Sequence, residues 1–146
     1  MRISSLTLLL STALLGSSAW AQIYEVKMLT RTATAGMVFE PDYLHIAPGD
    51  TVKFVPTHSG HNAASLPELL PEGAQAFAGK IDQPIEQTFS LPGLYGIQCT
   101  PHLGMGMVML IQVGDPTAQA AQLPTTLPKR ALDRMSAALQ KQQAAQ

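Results

Sequence analysis

The segment Cys99-Thr100-Pro101-His102-Leu103-Gly104-Met105-Gly106-Met107 decides the fold that we predict for this chain of 146 residues. It contains the only cysteine of the sequence, a histidine three positions later and, five positions beyond that, Met107. Thiolate, imidazole and thioether groups are ligands of soft metal ions. The two glycines between them would be costly inside a strand and suit a tight loop. The segment therefore predicts one loop that wraps a metal ion.

A second histidine, His61, lies far upstream beside Asn62, where a predicted strand runs into a loop. Two imidazoles and a thiolate in a rough plane, with a weak axial thioether, are the ligands of blue-copper electron-transfer sites. We rank His58 below His61 because it has no comparable neighbour, and His45 lies inside a strand, where a structural role is expected. Asn62 is expected to donate a hydrogen bond to the thiolate or to fix the loop.

Each of these residues alone has an ordinary explanation. A buried cysteine usually behaves as a small apolar side chain, a single histidine is often a hydrogen-bonded structural residue, and the methionines 105, 107 and 109 could belong to the core. Their combination on one loop between two strands favours the metal site. The lone cysteine supports this interpretation, because an unpaired thiol in an exported protein calls for a partner, a reaction or a metal.

The N-terminal residues 1–21 have the pattern of a signal peptide. Arg2 is followed by a largely apolar run over 6–15 and by Ala19-Trp20-Ala21, which ends in the small-x-small pattern of a cleavage site. The run is too short to span a bilayer. A buried N-terminal helix is the alternative. We predict a chain exported to the periplasm that begins near Gln22, without insertion into the membrane.

The mature part, 22–146, has the size of a single domain. Alternating apolar and polar residues, broken by Pro-Gly turns, predict short strands of an antiparallel sandwich or barrel over 22–114. Strands 87–91 and 94–98 are expected to form a hairpin around Pro92-Gly93 that delivers Cys99. The other predicted strands are 23–28, 43–46, 51–55 and 108–113.

The character of the sequence changes after Gly114. Segments 117–122 and 128–141 are rich in Ala, Gln, Leu and Arg, which favour helices, so residues 115–146 are predicted to form a helical extension. Leu132, Met135 and Leu139 share one helical face, and this face is expected to pack on the sandwich. Met135 is thereby assigned to packing and not to metal binding.

The charge distribution argues against nucleic-acid binding. The chain has 9 Lys and Arg against 10 Asp and Glu, and without Arg2 the balance is 8 against 10. No basic face of the kind that binds a phosphate backbone is evident.

Together these residues resemble the cupredoxins, and among them the pseudoazurin family. The resemblance covers nearly all of the mature chain. Its motifs in this sequence are Gly36-Met37-Val38-Phe39-Glu40-Pro41, Pro48-Gly49-Asp50-Thr51-Val52, Gly60-His61-Asn62, Pro92-Gly93-Leu94-Tyr95-Gly96 and the segment from Cys99 to Met107.

The resemblance implies an all-β, cupredoxin-like Greek-key β-sandwich or barrel with a C-terminal extension of two α-helices. It implies one type 1 copper ion with His61, Cys99 and His102 as ligands and Met107, not Met105, as the axial ligand. It also implies that Met37 lies against the His102 imidazole. The protein would then be a monomeric electron carrier and not an enzyme.

The resemblance further implies transient docking of redox proteins at an apolar patch around His102. The expected partners are a copper nitrite reductase, a c-type cytochrome or another periplasmic reductase. Pseudoazurins commonly ring this patch with lysines, whereas this chain has Ser59, Ala78 and Gln98 and retains mainly Arg31 and Lys80. Docking is therefore expected to depend more on the apolar patch than on charge.

Two other functions are compatible with parts of this pattern. A copper carrier or chaperone would use the same ligands in an exposed site that releases Cu(I) easily. An enzyme would use Cys99 as nucleophile and His102 or His61 as base. It would also need a substrate cleft and an oxyanion stabiliser, for which the sequence gives no sign.

Overall fold

The computed structural model describes residues 20–115 and 123–144, which form two packed sheets and one α-helix. The first sheet has the strand order β2-β1-β4-β6 and the second β3-β8-β7-β5, so the predicted all-β sandwich is confirmed. The elements are β1 (Ile23–Arg31), β2 (Gly36–Glu40), β3 (Tyr43–Ile46), β4 (Asp50–Pro56), β5 (Ala64–Ser65), β6 (Ile85–Phe89), β7 (Gly93–Gln98), a 3₁₀ helix (Thr100–Met105), β8 (Val108–Val113) and α1 (Lys129–Ala144).

The first sheet shows the alternation that its sequence predicts. Val26 and Met28 on β1 and Val52 and Phe54 on β4 are fully buried, while Lys27 between them is exposed. These side chains face the second sheet and form a core that also contains Cys99, Met107 and Met109. The metal-binding loop is thus anchored in the main core of the sandwich.

The second sheet is covered on both faces. All six residues of β8 are buried, which explains why Gln112 is the only polar residue in this strand. Its outer face packs against Ala131, Met135 and Ala138 of α1, with Leu132 and Leu139 at the edge of the contact. The predicted packing of the helical stripe on the sandwich is therefore confirmed.

The strand pairing differs from the antiparallel arrangement that we predict from the sequence. Strands β1 and β4 pair in parallel, as do β3 and β8, so both sheets are mixed. A period-two pattern defines which side chains face the core, but it carries no information on strand direction.

The predicted hairpin around Pro92-Gly93 is wrong. Strand β6 pairs with β4 in the first sheet, and β7 pairs with β5 and β8 in the second. Two-residue hairpin turns need a positive φ at their first central residue, which proline cannot adopt. The chain instead crosses between the sheets here, and Phe89 and Tyr95 meet edge to face across the core with ring centroids 5.0 Å apart.

Several other expectations need correction or lie outside the described residues. Strand β2 and the two-residue β5 have too little alternation to be predicted, and β6 spans Ile85–Phe89 instead of 87–91. One C-terminal helix is present, whereas the other predicted helix, 117–122, lies outside the described residues, as does residue range 1–19 of the predicted leader. No helix within 20–115 and 123–144 has both the length and the hydropathy of a membrane span.

We predict that Gly96→Ala destabilises the fold by about 1–3 kcal/mol through overpacking. A Cβ at Gly96 would lie 3.0 Å from Cβ of Leu69 and 3.0 Å from Cδ2 of Leu66. Two hydrogen bonds hold the Gly96 backbone against the segment that carries these leucines. Gly96 N–H donates to the Leu69 carbonyl, and the Gly96 carbonyl accepts from Leu66 N–H, both at 2.8 Å.

The measurement is guanidinium unfolding of the copper-free protein, with Gly104→Ala as the matched control. A Cβ at Gly104 would meet nothing within 4 Å. Equal unfolding midpoints for the two variants would contradict the packing argument.

Candidate metal centre

Three of the predicted ligands converge on one point at the end of the sandwich. The Nδ1 atoms of His61 and His102 are 3.2 Å apart, and Cys99 Sγ lies 3.7 Å from the first and 3.4 Å from the second. His61 and Cys99 are fully buried and His102 is half-buried. Among the described residues these three form the only cluster of at least three His, Cys, Asp or Glu ligand atoms that could hold a metal ion.

Cys99 and His102 lie in the connection between β7 and β8, which has the predicted length but contains a helical turn that the sequence does not predict. The Cys99 N–H donates to the Met107 carbonyl at 3.0 Å, which closes the loop at the ends of β7 and β8. A 3₁₀ helix occupies Thr100–Met105, with Pro101 in its first turn. Gly106 ends this helix in the left-handed conformation, φ 79°, which glycine adopts without a steric cost.

His61 reaches the same point from the loop after β4, and residues of two other segments hold it there. Its Nε2 is 3.0 Å from Thr30 Oγ1 on β1. The N–H of Asp82 donates to the His61 carbonyl at 2.9 Å, and a carboxylate oxygen of Asp82 accepts from the N–H of Gly60. A protonated Nε2 bonded to Thr30 leaves the Nδ1 lone pair free to bind a metal.

Asn62 fixes one loop to the other. Its amide nitrogen donates to the Gly79 carbonyl at 3.0 Å and to Thr100 Oγ1 at 3.1 Å, while its amide oxygen accepts from Thr100 N–H at 2.8 Å. Two roles are expected for Asn62, and its side chain has the loop-fixing one. The backbone of Asn62 bonds the Cys99 sulfur, and this hydrogen bond partly opposes the rise in the pKa of the thiol that burial causes.

The electrostatic setting favours neutral ligands in the metal-free protein. Burial raises the pKa of the Cys99 thiol, and hydrogen bonds from the backbones of Asn62 and His102 oppose this shift. Burial also lowers the pKa of His61, helped by the nearby His102 and His58 and opposed by Asp82. Because a metal ligand must be a thiolate, metal binding here releases the thiol proton.

The geometry of the three donor atoms fits a bound metal ion. An ion with bonds of about 2.0–2.1 Å to nitrogen and about 2.3 Å to sulfur, the values known for zinc, accounts for donor separations of about 3.1–3.8 Å. The observed separations of 3.2, 3.4 and 3.7 Å lie in this range. The donor set of two imidazoles and one thiolate is the planar set of a blue-copper site.

The other two histidines lie outside this cluster, and the methionines of the loop and of β8 differ in burial. His45 Nε2 is 2.7 Å from the Gly114 carbonyl, so its role is structural, and His58 Nδ1 accepts from the N–H of Thr30 at 3.0 Å. Met105 is 43% exposed, whereas Met107 and Met109 are buried in the core that contains Cys99.

Thr30 and Asp82 hold His61, and neither residue can be identified as a partner of His61 from the sequence. Asp82 lies in a stretch without clear periodicity, and Thr30 follows an ordinary strand pattern. The positive φ of Asp82, 61°, is a conformation that Asp tolerates better than most residues, but the sequence alone does not indicate it.

Comparisons with known proteins agree with this geometry. The model of copper binding proteins of the plastocyanin/azurin family matches residues 26–114. The pseudoazurin of Paracoccus pantotrophus is 45% identical over 126 residues, which are 86% of this chain and 87% of the relative.

Two solved structures are also similar. A pseudoazurin from Sinorhizobium meliloti has a TM-score of 0.72 and 41% identity, covering 82% of this chain and 92% of the other. The pseudoazurin of Hyphomicrobium denitrificans has a TM-score of 0.67 and 35% identity, covering 79% and 97%. The chain therefore belongs to the pseudoazurins of the plastocyanin/azurin family, which are type 1 copper electron carriers and not enzymes.

Proposed function

We propose that this protein carries single electrons in the periplasm with a copper ion bound by His61, Cys99, His102 and Met107. The observation that carries this proposal is the convergence of two imidazole Nδ1 atoms and one thiol sulfur within 3.7 Å of one another. The bound copper supplies the one-electron redox couple, and the residues of the chain supply a fixed set of donors.

Met107 is the best candidate for the axial thioether. It is fully buried, and its backbone is held on both sides, because its carbonyl accepts from Cys99 N–H at 3.0 Å and its N–H donates to the His102 carbonyl at 3.1 Å. Met105 is on the surface, and Met109 is already inside β8, paired with Ile97.

The hydrogen bonds around the donors favour a small change of geometry between the two oxidation states. Thr30 holds the His61 ring, Asp82 holds its backbone and Asn62 holds the loop that carries Cys99. Ligands held in this way cannot rearrange freely when the metal charge changes, which keeps the barrier to electron transfer low. The buried His61 and Cys99 also disfavour a carrier that releases its metal easily.

Substitution of Cys99 by Ser is expected to abolish the strong visible thiolate-to-copper charge-transfer band of the Cu(II) protein. His61→Gln is expected to weaken or remove it, because the planar donor set loses one imidazole. The measurement is the visible and electron paramagnetic resonance spectrum of the copper-loaded mature protein, before and after addition of a reductant.

The matched control is His58→Gln, three residues from His61 in the same loop and outside the donor cluster. It should keep the band. A wild-type protein that binds copper without any such band would refute the proposed ligand set.

We also propose that redox partners dock on a small surface around His102, which we call the His102 patch. It consists of the half-buried Met37, His102 and Leu103 and the exposed Gly104 and Met105. Exposed apolar side chains beside a half-buried ligand give a partner close access to the metal. A copper nitrite reductase, a c-type cytochrome or another periplasmic reductase is the proposed class of partner. Encounters of this kind bury less than about 1,200 Å² and are short-lived.

Met105→Glu is expected to lower kcat/KM for electron transfer to such a partner by about tenfold, because a charge replaces an apolar contact at the centre of the patch. Its visible spectrum should not change, since Met105 is not a ligand in the proposed site. Stopped-flow oxidation of the reduced protein by a purified copper nitrite reductase measures the effect.

Leu91→Glu is the matched control, because Leu91 is 42% exposed and Met105 43%. Leu91 precedes β7, whose far end leads to Cys99, and so it is remote from the patch. If the two variants slow the reaction equally, docking does not use the His102 patch.

Export and domain organisation complete the proposal. We propose that residues 1–21 are a signal peptide and that the mature protein, 22–146, is one monomeric cupredoxin domain with a β-sandwich over 22–114 and a helical extension over 115–146. The cleavage pattern Ala19-Trp20-Ala21 supports this division.

N-terminal sequencing of the protein recovered from the periplasmic fraction is expected to begin at Gln22. Recovery of a chain that still begins at Met1 in the cytoplasmic fraction would contradict export.

A further inference from the structure

We propose that Arg134 of α1 is a positioning residue of the copper site, an inference that rests on the proposed ligand set. Its guanidinium group donates to three backbone carbonyls of two other segments. Nη1 bonds the carbonyls of Met37 and Gly106, the latter at 2.7 Å, and Nη2 bonds the carbonyl of Gly36 at 2.7 Å. Among the described residues Arg134 forms no ion pair within 4.0 Å.

The contact with Gly106 controls the peptide unit that precedes Met107. Arg134 donates to the carbonyl of this peptide, which also accepts from Val108 N–H at 3.0 Å. The N–H of the same peptide, which belongs to Met107, donates to the His102 carbonyl at 3.1 Å. The unit is therefore clamped at both ends. Rotation of this peptide would displace the backbone of Met107 on one side and the carbonyl of His102 on the other.

The helix fits closely against this peptide. A Cβ at Gly106 would lie 3.0 Å from the Arg130 carbonyl, so only glycine lets α1 approach this near. The Arg134 side chain is half-buried in the contact and spans from α1 to the loop. The loop is thus held from the β-sandwich side by the Cys99 and His102 hydrogen bonds and from the helix side by Arg134.

The contact with Met37 fixes a strained part of the His102 patch. Met37 has a φ of 52°, in the left-handed region, which costs a non-glycine residue of order 1 kcal/mol or more. Arg134 donates to the carbonyls of Gly36 and Met37, which belong to the peptide units before and after the Cα atom of Met37. Met37 in turn packs against the core that contains Cys99 and Met107.

These contacts need the shape of arginine and not only its charge. A guanidinium group is a planar fork that can bond several acceptors at once, whereas a lysine ammonium is a compact point charge on a flexible stem. The three carbonyls carry no net charge, so the contribution of Arg134 is to hold their positions. We therefore infer that lysine cannot replace Arg134 without loosening the loop.

The experiment compares Arg134→Met and Arg134→Lys with the control Lys129→Met on the same helix. Lys129 is exposed and pairs only with Asp133 in the described residues, at 2.7 Å, so its loss removes one positive charge from α1 without a contact to the loop. The first measurement is amide hydrogen exchange at Gly106 and Met107 in the copper-free mature protein. The second is the ratio of the charge-transfer bands and the reduction potential of the copper-loaded protein.

We expect exchange at Gly106 and Met107 to become about tenfold faster in both Arg134 variants, as for the loss of hydrogen bonds worth about 1.4 kcal/mol. The band ratio and the potential should shift in both, because the axial ligand is less well held. Lys129→Met should match the wild type in every measurement.

Two results would overturn the proposal. If Arg134→Met matches the wild type, Arg134 does not position the site. If Arg134→Lys matches the wild type while Arg134→Met differs, the effect is one of charge and not of the guanidinium shape. If Arg134→Met fails to fold, Arg134→Lys alone tests the proposal, and a lysine variant that matches the wild type overturns it. A wild-type protein without a thiolate-to-copper band would instead refute the ligand set on which the inference rests.

Discussion

The hydrogen bond from Cys99 N–H to the Met107 carbonyl, 3.0 Å long, is the constraint on which the rest of the site depends. It continues the pairing of β7 with β8 beyond the last ladder residues, Gln98 and Val108. The two ends of the loop are therefore joined, and the residues between them have little conformational freedom to lose when a metal binds. The conformational entropy of the loop is therefore lost mainly when the sheet folds, and little more is lost when the thiol and the imidazole bind a metal.

The two sheets of the sandwich contribute to the site in different ways. The second sheet supplies the loop that carries Cys99 and His102, and the first sheet supplies the loop with His61 and, from β1, the Thr30 hydroxyl that holds it. The donor atoms come together only when the two sheets are packed against each other as observed. Correct folding of the core is thus a condition for the metal site, and the burial of His61 and Cys99 follows from their place between the sheets.

The sequence predicts the chemistry of the site better than the path of the chain. The ligand loop and the packed face of α1 follow from residue types at fixed spacing, and so they can be read from the sequence. The hairpin at Pro92-Gly93 fails because two strands that follow each other can face each other across a core instead of pairing. Thr30 and Asp82 lie far from His61 in the sequence, 31 residues in the case of Thr30, and no local pattern indicates that they hold it.

The C-terminal helix links the stability of the second core to the geometry of the site. The apolar face of the helix, with Ala131, Met135 and Ala138, covers the outer face of β8. Without the helix, this face of the strand would be exposed to solvent. The same packing fixes the position of α1 relative to the loop, and in this position Arg134 reaches the Gly106 carbonyl. Apolar burial is strong but non-directional, whereas a hydrogen bond requires a defined geometry. In this protein the buried face of α1 positions the helix so that Arg134 can form its hydrogen bond with the loop. Helix α1 is for this reason part of the architecture of the copper site as well as a cover for the sheet.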